Sequence, residues 1–301
     1  MRFLRFLLIR FVGIIVGLAF LIAISQTVMF FSSNGEYPQM VQNHQPGVFS
    51  ALVSSIVTDE RAMFTLNFPF RMSAFANAFL VSLMLTVGAI VIAAIFGIPL
   101  GLIAAVKKRY WFAHIGSVGG LVAQGVPPIS MAIVLQLIFA VFWRVLPLNG
   151  WYWNNPTYWV LPMLALALTT IGYVAKFMQT GMNEALTQDF MTSAKARGLP
   201  GWKLVMRHAF RPALVSVVTV FGPQMAMIVM GTVIVEEIFQ TPGLGGLLGY
   251  SININTGTVG ELGTQGGMLA IASIFVLGVL VMVLNLIVDM TYRALDPRIK
   301  W

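Results

Sequence analysis

The apolar residues of this chain gather into six runs, near 7–31, 78–106, 115–142, 159–178, 213–239 and 268–292. Each is long enough to cross a bilayer, because a helix covers roughly 30 Å of hydrocarbon in about 20 residues. In hydrocarbon every peptide N–H and C=O must find its partner within the protein, which leaves helices and closed barrels as spanning structures. A barrel strand alternates polar and apolar residues, whereas these runs are apolar on all faces. The expected fold class is an all-α membrane protein with six transmembrane helices. The overall balance agrees, since 58% of residues are hydrophobic, 9% are charged and mean hydropathy is +0.86.

Orientation follows from Lys and Arg, which collect on the cytoplasmic side of membrane proteins. Fifteen of the 18 lie at the amino end (Arg2, Arg5, Arg10), in the second-to-third connection (Lys107–Arg109), from Lys176 to Arg211, or from Arg293 onward. The other side holds only Arg61, Arg71 and Arg144. Both termini are therefore expected in the cytoplasm. Basic residues at the edges of apolar runs are topology determinants, so the net charge of +8 does not imply nucleic acid. The first run is too long for a signal peptide and lacks a small-x-small cleavage site, so it reads as an uncleaved span. Residues 1–77 then form the first helix plus an external segment, 32–77, with loop around 34–47 and a short surface helix over 48–57. Residues 78–301 form a five-helix core. The chain has no cysteine, which excludes disulfides and thiolate metal sites.

Within the second run, Ala89, Ala93, Gly97, Gly101 and Ala105 recur at four-residue spacing. Small residues so placed share one helix face and admit a neighbouring backbone. Gly13/Gly17 and Gly116/Gly120 repeat the pattern. The stripe reads either as packing within the subunit or as a moving or intersubunit interface. Pro127-Pro128 is expected to break or kink the third span, and Pro99 to bend the second more mildly. Polar residues at membrane depth are few: Gln136, Gln224, Asn285 and Asp289, with Glu236 and Glu237 towards the outer end of the fifth span. Asp289 and Arg293, four apart with the acid first, suit an ion pair. Gln136, Gln224, Glu236 and Glu237 are candidates for a translocation path or gate, and for the two acids a local structural role stands beside that reading.

No Lys is followed by Ser or Thr, so a Walker A loop is absent and ATP hydrolysis by this chain is not expected. His44, His114 and His208 all lie outside the six runs, which leaves no Ser–His pair or metal triad at membrane depth. An intramembrane enzyme is disfavoured. A stand-alone secondary transporter would show inverted repeats and a midplane ionisable site, and neither stands out.

Between Asn183 and Arg211 the sequence reads as helix, break, helix. Good helix formers run from Glu184 to Arg197, with Leu186, Phe190 and Ala194 as an apolar stripe at spacing four. Gly198 suits a left-handed cap and Pro200 stops the helix. Trp202–Phe210 restarts it, and Pro212 opens the fifth span, where a missing N–H costs least. The segment Ala194-Lys-Ala-Arg-Gly-Leu-Pro200 followed by Arg207-His-Ala-Phe-Arg-Pro-Ala-Leu214 resembles the cytoplasmic "EAA" loop of ABC importer permeases, with Thr192-Ser193-Ala194 in place of the Glu-Ala-Ala opening. Gly97-Ile-Pro-Leu-Gly-Leu-Ile-Ala-Ala105, Val235-Glu-Glu-Ile-Phe-Gln-Thr-Pro-Gly-Leu-Gly245 and the terminal Leu295-Asp-Pro-Arg-Ile-Lys-Trp301 agree in order. The chain is most similar to the first, B-type subunit of the oligopeptide/dipeptide/nickel group.

That resemblance implies the type I ABC importer permease fold, with the first span wrapping a second permease. It implies a coupling helix carried by the loop at about 183–211, in which Phe190, Ala194, Lys195, Ala196, Arg197, Gly198, Leu199, Pro200 and Arg207 seat against an ATPase subunit. Two cytoplasmic ATPase subunits would bind ATP and Mg, and this chain would hold no cofactor. An external binding lipoprotein would deliver cargo, a peptide or, on a same-fold alternative, a nickel or other metal chelate, glutathione or an oligosaccharide. The setting implied is a prokaryotic plasma membrane.

Overall fold

The computed structural model describes residues 8, 11–17, 19–20, 72–107, 125–198, 200–252 and 265–295. Their regular structure is helical: α1 (Met72–Val106), α2 (Pro128–Leu135) continuing as a π-helical segment (Gln136–Phe142), α3 (Thr157–Thr187), α4 (Asp189–Ala196), α5 (Gly201–Leu204) continuing as a second π-helical segment (Val205–Ala209), α6 (Phe210–Phe239), α7 (Leu244–Ile252) and α8 (Gln265–Leu295). Residues 11–17 are also helical.

Among the described residues, four helices are long and apolar enough to cross a membrane: Phe75–Val106, Thr157–Thr187, Gly201–Phe239 and Ser273–Leu295. These correspond to the second, fourth, fifth and sixth expected spans. The third is described from residue 125 onward, where Pro128–Phe142 is a shorter apolar helix. The first is described only over residues 8, 11–17 and 19–20. The expected loop around 34–47 and surface helix over 48–57, along with Gly116/Gly120, His44 and His114, lie outside the described residues, whereas 72–77, expected in the external segment, already belong to α1.

The prolines act according to their place in each helix. Pro127 is extended (φ −58°, ψ 146°) and Pro128 opens α2, so the pair separates that helix from what precedes it. Pro99, Pro162 and Pro223 lie inside continuous helices. Pro212 corrects the expectation that it opens the fifth span, for the helix already begins at Gly201. The π-helical turn just before it, in which the Phe210 N–H donates to the Val205 carbonyl five residues back, widens the ladder where the ring has no N–H to give.

The chain divides into two compact units. In the first, residues 1–83 with 240–282, the Leu244 N–H at the start of α7 donates to the buried Ser82 Oγ at 2.9 Å. In the second, residues 84–239 with 283–301, α3 is the hub: α2 and α6 pack on it and it carries a long buried face. The small-residue stripe of α1 seats on this hub. A Cβ at Gly97 would stand 2.7 Å from Val174 Cβ and 2.9 Å from the Ile171 carbonyl oxygen, and one at Gly101 would stand 2.6 Å from Met178 Cβ. Two backbones therefore pass at a distance that only hydrogen side chains permit, the packing alternative of the two left open by the spacing.

Candidate functional site

α3 has 31 residues and the continuous helix Gly201–Phe239 has 39, lengths of about 46 Å and 58 Å at 1.5 Å per residue. Both exceed the ~30 Å hydrocarbon layer. The surplus lies at one end, because Glu184, Asp189, Lys195, Arg197, Lys203, Arg207 and Arg211 all fall between the apolar part of α3 and that of α6. The two helices thus carry α4, the turn and α5 out of the membrane as a helix–turn–helix projection.

Local geometry explains the projection's shape. Gln188 is extended (φ −78°, ψ 154°), which ends α3 and starts α4. Asp189 lies in the first turn of α4 and Lys195 in the last, the order the helix dipole favours. Gly198 is left-handed at φ +74°, and its N–H donates to the Lys195 carbonyl at 2.9 Å. Pro200, extended at ψ 143°, precedes Gly201, the first residue of α5. The cap at Gly198 and the stop at Pro200 fall where the sequence puts them.

The break at Gln188 alters the apolar stripe. Because it resets the helical phase, the side chains turned inward are Ala185, Met191 and Ala194, while Phe190 is 38% exposed and Leu186 half-buried. Lys195, Ala196, Arg197, Gly198, Pro200 and Arg207 are exposed, His208 is half-buried, and Leu199 lies outside the described residues. Met191, Ala194, Leu204, Val205 and Ala209 belong to one buried cluster with Met178, Met182, Ala213 and Val217 of the long helices and Ala93 and Ala105 of α1. A close-packed core of this kind transmits displacement without absorbing it, so the projection and the inner halves of α1, α3 and α6 form one mechanical block.

The Gln136 amide nitrogen donates to the Leu148 carbonyl (3.1 Å), Asn149 Oδ1 (3.1 Å) and the Ile238 carbonyl (3.3 Å), clasping the first π-helical segment to the 148–149 loop and to the end of α6. Glu236 is fully buried and engaged, on the same face of α6 as Thr232, Val235 and Phe239. Glu237 is exposed, on the face that carries Met230 and Ile234. Gln224 is half-buried beside Tyr173, Phe177 and Phe221, which line a shallow apolar recess with it. Gln136→Leu is expected to destabilise the protein by about 1–3 kcal/mol, since it removes three hydrogen bonds worth about 0.5–1.5 kcal/mol each. A thermal melt in detergent checks this, and Glu237→Gln, on an exposed face, should leave the melt unchanged.

An aromatic collar stands where three chain segments meet, at the ends of the first π-helical segment and α6 and the start of α3. Trp151 stacks on Trp159 (centroids 5.6 Å, 24°) and meets Trp153 edge-on at 5.5 Å, while Tyr152 meets Tyr158 at 4.8 Å. The Gly150 N–H, at φ +105°, donates to the Phe239 carbonyl at 2.9 Å. Sequence reasoning passed over this collar, although Trp and Tyr concentrated at the end of an apolar run are the usual mark of a membrane–water boundary.

Long apolar helices, an aromatic collar and a helix–turn–helix projection define a polytopic membrane protein. The chain belongs to the family of binding-protein-dependent transport system inner membrane components, which residues 97–301 match. It is 36% identical over 224 residues to the dipeptide transport system permease protein DppB of Bacillus subtilis (strain 168), covering 74% of this chain and 69% of that one. It is 34% identical over 228 residues to the oligopeptide transport system permease protein OppB of Escherichia coli (strain K12), covering 75% and 71%. The glutathione transport system permease protein GsiC of Salmonella typhi is 30% identical over 226 residues, covering 75% and 70%.

Proposed function

We propose that this chain is one permease subunit of an ABC importer for oligopeptides or dipeptides. Six spans, completed by residues 7–31 and 115–142, form half of a path whose other half is a second permease. Two cytoplasmic ATPase subunits bind ATP and Mg, and an external binding protein delivers the peptide. Both termini are cytoplasmic. The observation that carries this reading is the packing of α4 and α5 into the same buried cluster as α1, α3 and α6. When ATP draws the ATPase subunits together, a helix seated on one of them takes the inner ends of the spans with it. The mechanism requires two global states coupled through a physical link, and the block is a link of that kind. Gly198 makes the turn, exposed Phe190, Lys195, Ala196, Arg197 and Arg207 face the ATPase, and Gln224 and Glu237 are the half-buried and exposed polar groups available to a path.

Proteoliposomes test this. The isolated chain should show neither ATP hydrolysis nor uptake, and both should appear when the second permease, the ATPase subunits and the binding protein are added. ATPase activity in the isolated chain would overturn the reading. Competition between labelled dipeptide and glutathione for uptake separates the peptide cargo from the second reading, which the glutathione permease relative favours. Topology has its own check in this cysteine-free chain: Ser50→Cys should be labelled by an impermeant thiol reagent from outside, and labelling only from the cytoplasm contradicts the orientation.

A further inference from the structure

Gln224 stands apart from several polar side chains of the long helices. The hydroxyls of Thr169, Thr170 and Thr232 donate to carbonyls of their own helices, and the Gln136 amide nitrogen has its three acceptors. The Gln224 amide makes no hydrogen bond among the described residues, and neither does the Tyr173 hydroxyl in the same recess. Depth makes this costly. At 1.5 Å per residue, Tyr173 lies about 21 Å along α3 from Trp159 of the collar, and Gln224 about 22 Å along α6 from Phe239, whose carbonyl Gly150 holds at the collar. The two helices agree, and both depths fall inside a hydrocarbon layer of about 30 Å. An amide turned to acyl chains there gives up water and receives no partner in exchange.

Chemistry narrows the occupant. Phe177 and Phe221 flank the amide, the Tyr173 ring meets Phe177 at 5.0 Å and 36°, and no charged side chain lines the recess. The site therefore offers one amide, donor and acceptor together, against an apolar floor, and nothing to pair with an ammonium or a carboxylate. A spanning helix of a second subunit spends its N–H and C=O groups on itself. An extended peptide instead presents the N–H and C=O of one residue side by side on one edge, the pair that antiparallel strands exchange. We infer that Gln224 reads the main chain of the passing peptide. Its amide oxygen accepts from the N–H, and its nitrogen donates to the C=O, of one extended residue, while Tyr173, Phe177 and Phe221 receive a neighbouring side chain. The inference rests on the permease reading above and names what the site recognises, the peptide backbone in place of its charged ends. Such a site passes peptides of different sequence alike, because every residue except proline presents the same pair.

The experiment uses the assembled transporter in proteoliposomes, with labelled trialanine and trialanine N-methylated at its middle residue as probes. Methylation removes the N–H that Gln224 would accept. Gln224→Leu should slow trialanine uptake by about tenfold, the size of one or two net hydrogen bonds. It should also shrink the ratio between the two peptides' uptake rates by about threefold or more, as expected of partners in contact. The binding protein meets the same two peptides in both cases, so its own preference cancels. The thermal melt of Gln224→Leu should match or exceed that of the wild type, because the amide has no partner to lose among the described residues. A ratio left unchanged by the substitution overturns this inference alone, whatever the rate. A lowered melt, or loss of the second permease from the purified variant, gives the amide a structural partner and overturns it too. Gln224→Cys, the single cysteine of such a chain, should react with a water-soluble thiol reagent supplied on both faces during ATP turnover; failure to react places the residue against lipid and overturns it as well. Wild-type transporter that takes up neither peptide overturns the permease reading and this inference together.

Discussion

Gly198→Trp should abolish uptake by the assembled transporter while the protein accumulates in the membrane at its normal level. The two halves of that result have different causes. Gly198 sits at φ +74°, where an L side chain costs roughly 1–2 kcal/mol. A typical domain has 5–15 kcal/mol of stability to lose. A Cβ at Gly198 would meet nothing within 4 Å, so no clash adds to that strain. Folding therefore survives. The indole instead occupies the outer surface of the turn, between exposed Arg197 and Pro200, at the proposed ATPase contact. Gly198→Asn, which tolerates the left-handed region better than most residues, should keep most of the uptake. Normal ATP-dependent uptake by Gly198→Trp would remove this turn from the coupling element.

Gly101→Leu should have the opposite signature, with little protein reaching a folded state in the membrane. Its Cβ would fall against the Ala175 carbonyl oxygen and 2.6 Å from Met178 Cβ. A carbonyl in the middle of a helix cannot swing aside, so α1 and α3 must separate. That separation also opens the seam at Gly97, four residues away, and uncovers the buried cluster that holds α4 and α5. Overpacking a core costs about 1–3 kcal/mol where side chains alone must give, and a backbone obstacle raises it. Gly13→Leu is the internal control, because a Cβ there meets nothing within 4 Å. Accumulation in the membrane and the temperature of thermal aggregation measure both variants. A folded Gly101→Leu protein melting with the wild type would show that the seam bears no stability.

The parts of the fold that were legible in the sequence are those written in short range. Apolar runs of membrane-spanning length marked α1, α3, α6 and α8, because length and polarity dominate the free energy of a helix in lipid. The four-residue spacing of Ala89 to Ala105 marked the close face of α1, and Gly198 with Pro200 marked the turn, because each residue type has one backbone conformation it serves best. What escaped notice depends on phase and on partners distant in sequence. Nothing local distinguishes Gln188 as a break, and without that break Phe190 rather than Met191 falls on the inward stripe. Pro212 reads as a helix start until the wide turn at Val205–Ala209 is known to precede it. Gln136 reads as a polar group at membrane depth, and only the fold brings Leu148, Asn149 and Ile238 to its amide.

The helix Gly201–Phe239, 39 residues without interruption, has the leverage of a rod. Tilted by about 5° around its midpoint, a rod of ~58 Å swings its two tips by about 2.5 Å in opposite directions. One tip bears Trp202; at the other, the Ile238 carbonyl receives the Gln136 amide at 3.3 Å. A swing of that size stretches this bond far past hydrogen-bonding range. Under the proposed function, a push at the Trp202 tip would be read at the other tip as the making or breaking of that one contact.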